Sequence, residues 1–407
     1  MKRMKYLKIL LIGLLWAIIV TGLNLLFRNN PMIFRNETGF FDEIQNTKAI
    51  DSKTDEGYTR LEPYLNEFMF INMDTAAIDM NTDRLKPQVL AQFLNKMKEF
   101  KLDFKILFVD YQLPPDLDNY PDLLAAMHPF ENQLLLPISL TIDSIRNNFQ
   151  NPVRTELIRN LRTPAYDQCL TGFASVFSEP ITQTNRFYIY RFYTTDYSTH
   201  TSIPYVLAEK FHPIKSDPIS SNGEVNELNF RLRNNEVWNT ERAVLVYDMH
   251  DVVHTVPYQD LVKLLKNKII VVGIFNDIVN KYGQSVDKFK TPLTTGSTGV
   301  MVIINAYLNL IMNDFIHTDS GITTFLLLLL FSLVLLYLSE KRVLTKNFLL
   351  LIFTFNTALA IFGFPGMAYM LFSTWSLKIN FLIPVVFQLI FPVILLYRML
   401  DKNTQLR

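Results

Sequence analysis

The sequence predicts an α/β extracytoplasmic domain, with a central, mostly parallel sheet flanked by helices, carried by four transmembrane helices. Three observations predict this. Apolar residues gather into four long runs, one near the start of the chain and three near its end. Between them, short apolar segments alternate with amphipathic ones, the order expected of strands joined by crossover helices. The charge is balanced, with Lys+Arg 39 against Asp+Glu 38, so no overall field recruits nucleic acid.

The first run, Leu7 to Phe27, is uncharged and matches the ~20 residues that cross a bilayer core. It follows the basic start "MKRMK" and shows no small-residue cleavage site, so it reads as a retained anchor rather than a secretory leader. The other runs are Ile322 to Leu338, Phe348 to Phe372 and Ile379 to Tyr397. Basic residues in the Glu340–Lys346 loop and after the last run mark the cytoplasmic side. Both termini are then cytoplasmic, and Arg28 to Asp319 lie outside. This gives 1–27 as the cytoplasmic start and first span, 28–67 as a linker and 68–319 as the outer domain. Residues 320–397 hold the other three spans, and 398–407 form a short cytoplasmic tail.

The one cysteine, Cys169, has no partner for an internal disulfide. A large exported domain without disulfides fits a bacterial periplasm, which places the chain in the inner membrane. In an apolar stretch a lone thiol reads as buried filler rather than a nucleophile.

Within the outer segment, Arg35 to Glu67 is polar and poorly periodic, a linker with short helical turns. "FMFINMD" (Phe68 to Asp74) is an apolar run suited to a buried strand. In Pro87 to Phe100, Val89, Leu90, Phe93, Leu94 and Met97 recur at helical spacing, with proline in the first turn. Lys105 to Tyr111 is the next strand, and Asn132 to Leu140 and Arg186 to Thr195 supply others. Ile203 to Phe211 fits a helix, Pro213 to Asn239 a polar surface loop, and Glu241–Asp248 and Asn267–Phe275 two more central strands.

Several motifs in this order resemble the second CHASE family, a sensory extracytoplasmic domain found with cyclases and histidine kinases. "FMFINMDTAAID" is similar to its opening strand, and "ILFVDYQLP" to its strand ending in Asp. "TGFASVF" and "NRFYIYRFY" resemble its Gly-Phe and Arg-bearing strands. "VPYQDLVKLLKNKIIVVG" and "DKFKTPLTTGSTGVMVIINAYLNLI" resemble its closing helix, strand and Asn-Ala element. The resemblance covers Phe68 to Ile316 and implies a sensor domain with one span before it and three after. There are two departures. Members usually continue into a cytoplasmic output domain, whereas this chain stops roughly ten residues after its last apolar run. The Trp- and Arg-rich stretch after the first strand is replaced by "MNTDRLKPQ".

Candidate chemistry is sparse. "GSTGV" lacks the lysine of a phosphate loop, and Ser297 or Thr298 is suited to cap a helix beginning near Val300. "HDVVH" spaces His250 and His254 like a zinc-protease motif, but Asp replaces the required Glu and no third ligand is identifiable. Its flanks favour an extended loop, which leaves these histidines as weak metal candidates. "PPDLDNYPD" offers Asp116, Asp118 and Asp122, but Pro121 occupies the place of a calcium loop's glycine.

Asp74, Asp110 and Gly273 fall at or just past the C-terminal ends of presumed parallel strands, where open α/β sheets bind ligands. These carboxylates, and Asp287 in "DKFKTPL", either contact a ligand or cap turns. No catalytic triad stands out and no carboxylate pair can be placed. The centres of the apolar runs hold no Asp, Glu, Lys or Arg, unlike most ion-coupled carriers. There Asn24, Asn356 and Gln388 can cross-link helices, and Pro365 should kink one.

The expectation is a non-enzymatic membrane protein without cofactors, embedded in membrane lipid, sensing a ligand and signalling through another membrane or periplasmic protein, with a homo-oligomer as a further partner state. The alternative is a structural scaffold subunit of an envelope or secretion complex. An exported hydrolase would need a nucleophile–base pair, and none is evident.

Overall fold

A short, mostly apolar run with no alternation suits a strand buried on both faces inside a sheet. In the computed structural model, Phe68–Asn72 and Ile269–Gly273 are such runs, buried at every residue and paired in parallel. The structure describes residues 2–404 except 29, 76, 80–83, 100–102, 112–118, 139, 143–156, 160–168, 175, 179–181, 194–198, 213–224, 234–243, 277, 279–281, 283–284, 294–295 and 342–345.

The strands used below are β1 (Phe68–Asn72), β2 (Ile106–Val109), β3 (Leu134–Ile138), β4 (Leu170–Phe173) and β5 (Val176–Ser178). They continue with β6 (Asn185–Ile189), β7 (Val225–Glu227), β8 (Val246–Asp248) and β9 (Ile269–Gly273). Six form a sheet in the order β8-β1-β9-β2-β3-β4, with every pairing parallel. A smaller antiparallel sheet runs β7-β6-β5. From β1 the chain moves outward through β2, β3 and β4, returns to the far side of β1 as β8, and ends as β9 between β1 and β2. The winding thus reverses about β1 and β9, the position at which such sheets open a crevice at their C-terminal ends. β8, expected to be central, is instead an edge strand of three residues, because it pairs with β1 alone.

Strand alternation divides the core in two. Phe68, Phe70, Ile106, Phe108, Ile269 and Val271 face one cluster, while Met69, Ile71, Leu107, Val109, Ile270 and Val272 face the other. The helices are α1 (Tyr58–Leu65), α2 (Pro87–Glu99), α3 (Pro121–Met127), α4 (Ile203–Phe211), α5 (Met249–His254), α6 (Tyr258–Leu265) and α7 (Gly299–Met312). α2, α3, α5 and α6 contribute to the second cluster, and α1, α4 and α7 to the first. α7 is buried at every residue from Val300 to Leu310, as its all-round apolar sequence requires.

Two asparagines one turn apart on α7 hold an extended segment against it. Asn305 Oδ1 accepts from the N–H groups of Arg231 (2.7 Å) and Leu232 (2.9 Å), and its Nδ2 donates to Leu232 O (3.1 Å). Asn309 repeats the pattern on Asn229, accepting from its N–H (2.7 Å) and donating to its carbonyl (2.8 Å). On the same segment, Phe230 N–H donates to Gln45 Oε1, and Ile50 bridges to Leu232 in parallel. The α/β unit therefore runs from Gln45 to Phe315.

The second unit comprises Met1–Ile44 and Ile316–Arg407. Two of its helical segments, Tyr6–Phe27 and Leu350–Trp375, are long and apolar enough to cross a bilayer. The apolar stretches of two further helices, Ile322–Tyr337 and Leu382–Val393, are shorter, so of the four expected spans two meet that length among the described residues. Asn356 and Gln388 exchange hydrogen bonds (Nδ2 to Gln388 O 2.7 Å, Nε2 to Asn356 Oδ1 2.9 Å), and Asn24 Nδ2 donates to Asn380 O (3.0 Å). The helix that ends at Ala358 widens into a π turn, Leu359–Gly363, just before Pro365, where the proline removes a backbone donor.

The expected linker is more ordered than its polarity suggested. Pro31–Lys48 is one helix of 18 residues with Asn30 Oδ1 accepting from Met32 N–H at its start. Phe41 and Ile44 are buried in the second unit's core, so tertiary packing supplies what periodicity alone does not. Glu37, on the same helix and 3% exposed, accepts at Oε1 from the N–H groups of Phe381 (2.7 Å) and Leu382 (2.8 Å), capping the helix Leu382–Thr404.

Candidate functional site

At the C-terminal ends of β1, β8 and β9, one side chain joins all three. Asn72, 1% exposed, donates from Nδ2 to Asp248 Oδ1 (2.7 Å) and accepts at Oδ1 from Phe275 N–H (3.0 Å). A buried amide here satisfies polar groups that would otherwise be stranded where the sheet ends. Its signal in the sequence is one asparagine closing an apolar run, and sequence reasoning passed over it. Beyond Asn72 the ladder continues by one bond on each side of β9. Met73 N–H donates to Gly273 O (2.8 Å) and Asp110 N–H to Val272 O (2.7 Å).

The four predicted site residues, three at this edge and Asp287 in the later loop, divide by role. Asp74 caps a turn, accepting from Ala77 N–H (2.9 Å) at Oδ1, and reaches His250 N–H at 3.4 Å with Oδ2. Gly273 is a packing position, since a Cβ there would lie 2.9 Å from Val300 Cβ on α7. We expect Gly273→Ala to cost about 1–3 kcal/mol through overpacking, read as a lower midpoint in thermal unfolding.

Asp287 takes the capping role assigned to Ser297 or Thr298. Its Oδ2 accepts from Gly299 N–H at 2.9 Å, whereas the N-cap residue Thr298 makes no side-chain capping bond. A carboxylate at the first turn also complements the helix dipole, which a hydroxyl does less strongly. Gly299 has no side chain to obstruct this, as its Cβ would lie 2.8 Å from Asp287 Oδ1.

Asp110 and Asp287 are the carboxylate pair that could not be placed from sequence. Asp110 is bonded to Val272, the next residue packs on Val300, and Asp287 binds the neighbouring Gly299. Both are half-buried. Burial lifts Asp287 to about 6, against the opposing effect of the Gly299 N–H. Asp110 stands well above the carboxylate range, first through burial and then through the charge of Asp287. Tyr188, on β6, is fully buried, and its hydroxyl has no hydrogen-bond partner among the described residues. Burial and then the charge of Asp110 push that hydroxyl up, which keeps it a proton donor. The Asp287 charge acts on Asp110, and the Asp110 charge on the buried Tyr188 hydroxyl, so a cation at this edge would relieve the repulsion.

The histidines fall on a helix, not in the expected extended loop. α5 runs Met249–His254, and the rings of His250 and His254 are 4.6 Å apart. Buried Met249 and Val252, one turn apart, anchor it despite the β-branched flanks, and Pro257 stands before α6 rather than extending a loop. Among the described residues no group of three or more His, Cys, Asp or Glu side chains is arranged to hold a metal. Asp116 and Asp118 lie outside the described residues, and Asp122 sits in the first turn of α3. Cys169 is half-buried, and burial followed by the charge of Glu131 pushes its thiol up to about 11, so it stays protonated.

No family model, curated protein or solved structure matches this chain.

Proposed function

We propose that the chain is an integral membrane protein of a bacterial inner membrane, whose α/β unit is a periplasmic, non-catalytic sensor domain resembling the second CHASE family. On this reading four helices span the membrane. The two shorter apolar helices join the two longer ones, and both termini face the cytoplasm. The signal passes to another membrane protein, and the helices that enter and leave the α/β unit are its natural levers.

The observation that carries the reading is the Asp110–Asp287 pair at the switch point of a parallel sheet, with the Asp110 charge acting on the buried Tyr188 hydroxyl. Such an arrangement suits a small solute with a cationic group. A cation needs ionised carboxylates, so its affinity should rise as pH increases through about 6, where Asp287 ionises. Full-length protein in detergent, melted with putrescine and with 1,4-butanediol, tests this. We expect saturable stabilisation of a few degrees by the diamine alone, stronger at pH 8 than at pH 5 and lost in Asp110→Asn.

One observation favours the scaffold reading. Asp74, Gly273 and Asp287 each have a structural role in turn, packing or cap. Equal melting with both additives, together with a stoichiometric partner retained on native purification, would establish the scaffold in place of the sensor.

A further inference from the structure

We propose that the α/β unit has a second binding site, for a small organic anion with a ring-sized apolar body, at the opposite end of the sheet. β8 joins β1 only from the Phe70–Val246 pair onward. The residues before that pair, Phe68 and Met69 on one side and Val244 and Leu245 on the other, part around a cavity of about 200 Å³. Phe68, Phe70 and Leu264 are among its apolar walls, and Lys53, Lys268, Tyr58, Tyr247 and Asn66 are its polar residues, with no carboxylate among the lining residues.

This combination selects its ligand by charge and size. Two ammonium groups and two phenols give hydrogen-bond donors suited to an anionic head, where charge-assisted bonds are the stronger kind. Both phenols remain protonated donors. Burial, and for Tyr58 also the charge of Glu62, pushes them up from their ordinary value. Lys268 already donates to the Asn66 carbonyl at the rim, which fixes its stem while leaving its other ammonium protons able to donate. Cavities of about 150 Å³ accommodate benzene. The larger volume here fits one ring with a carboxylate, in the usual pattern of apolar walls with a few polar residues. The site shares no residue with the Asp110–Asp287 pair and has the opposite charge preference.

Benzoate, benzamide and benzylamine are matched in shape and differ in charge, so calorimetric titration of each into full-length protein in detergent separates the terms. We expect benzoate to bind at least tenfold more tightly than benzamide, and benzylamine to show no binding. Lys53→Met and Lys268→Met should each weaken benzoate at least fivefold and leave benzamide unchanged, with the ligand-free melting point of each variant verifying its fold. Inorganic phosphate should bind more weakly than benzoate, because it has no apolar body. Equal binding of benzoate and benzamide, absence of benzoate binding, phosphate binding as tightly as benzoate, or lysine variants that keep wild-type benzoate affinity while folded would each overturn the proposal.

Discussion

Asn305→Ala is expected to lower the stability of the α/β unit by about 3–5 kcal/mol, the largest single-residue effect in it. The substitution strands the N–H groups of Arg231 and Leu232 and the Leu232 carbonyl, whose partner atoms lie on Asn305 at 2.7–3.1 Å. Each buried group left unpaired costs roughly 1–3 kcal/mol, against a total of about 5–15 kcal/mol for a whole domain. Asn309→Ala should follow with a somewhat smaller loss, since it leaves one residue, Asn229, without its two bonds. The double variant should lose less than the sum, because both asparagines hold one segment. Amide hydrogen exchange at residues 229–232, with thermal unfolding of the full chain, is the measurement. Protection there equal to wild type would contradict the clamp.

Glu37→Gln should abolish a pH-dependent loss of stability in the helical unit. Burial raises the Glu37 carboxyl from its ordinary 4.5 to about 7, opposed by the Leu382 and Phe381 N–H groups and the charge of Lys378. The folded chain therefore holds this proton more tightly than the unfolded chain. The resulting stability is fully present below about pH 4.5 and is lost as pH rises through 7, a change of ~3 kcal/mol. Glutamine keeps an acceptor for both N–H groups but does not titrate, so the variant should match wild type at pH 5 and melt higher at pH 8. Glu37→Ala should melt lower at both, because two N–H groups lose their acceptor. Asp110 and Asp287 titrate with the same sign, so the difference between wild type and Glu37→Gln isolates this group. A difference that stays constant from pH 5 to 8 would rule the account out.

The sites show where sequence reading stops. Asp74, Asp110 and Gly273 were placed correctly at strand ends because a strand's end is a local signal, an apolar run giving way to a polar residue. Their roles were not local. Gly273 is small because Val300 approaches it, and Asp287 is a cap because the turn before α7 brings Gly299 to it. The His250–His254 stretch went wrong for the same reason, since its flanking residues favour extension while the burial of Met249 and Val252 favours helix.

The short apolar runs of β1, β2 and β9, the helical spacing in α2 and the clustering of long apolar runs at the two ends of the chain were set by residue order alone. Period and run length are properties of neighbours in sequence, and the hydrophobic effect acts on them wherever the chain folds. The pairing of Asp110 with Asp287, the bridging by Asn72 and the capping of Leu382 by Glu37, 345 positions away, required the tertiary structure. These are meetings of single polar groups brought together by topology. A lone Asp, Asn or Glu carries no periodic mark of the partner it will meet, so the core could be read from the sequence and the chemistry at its edge could not.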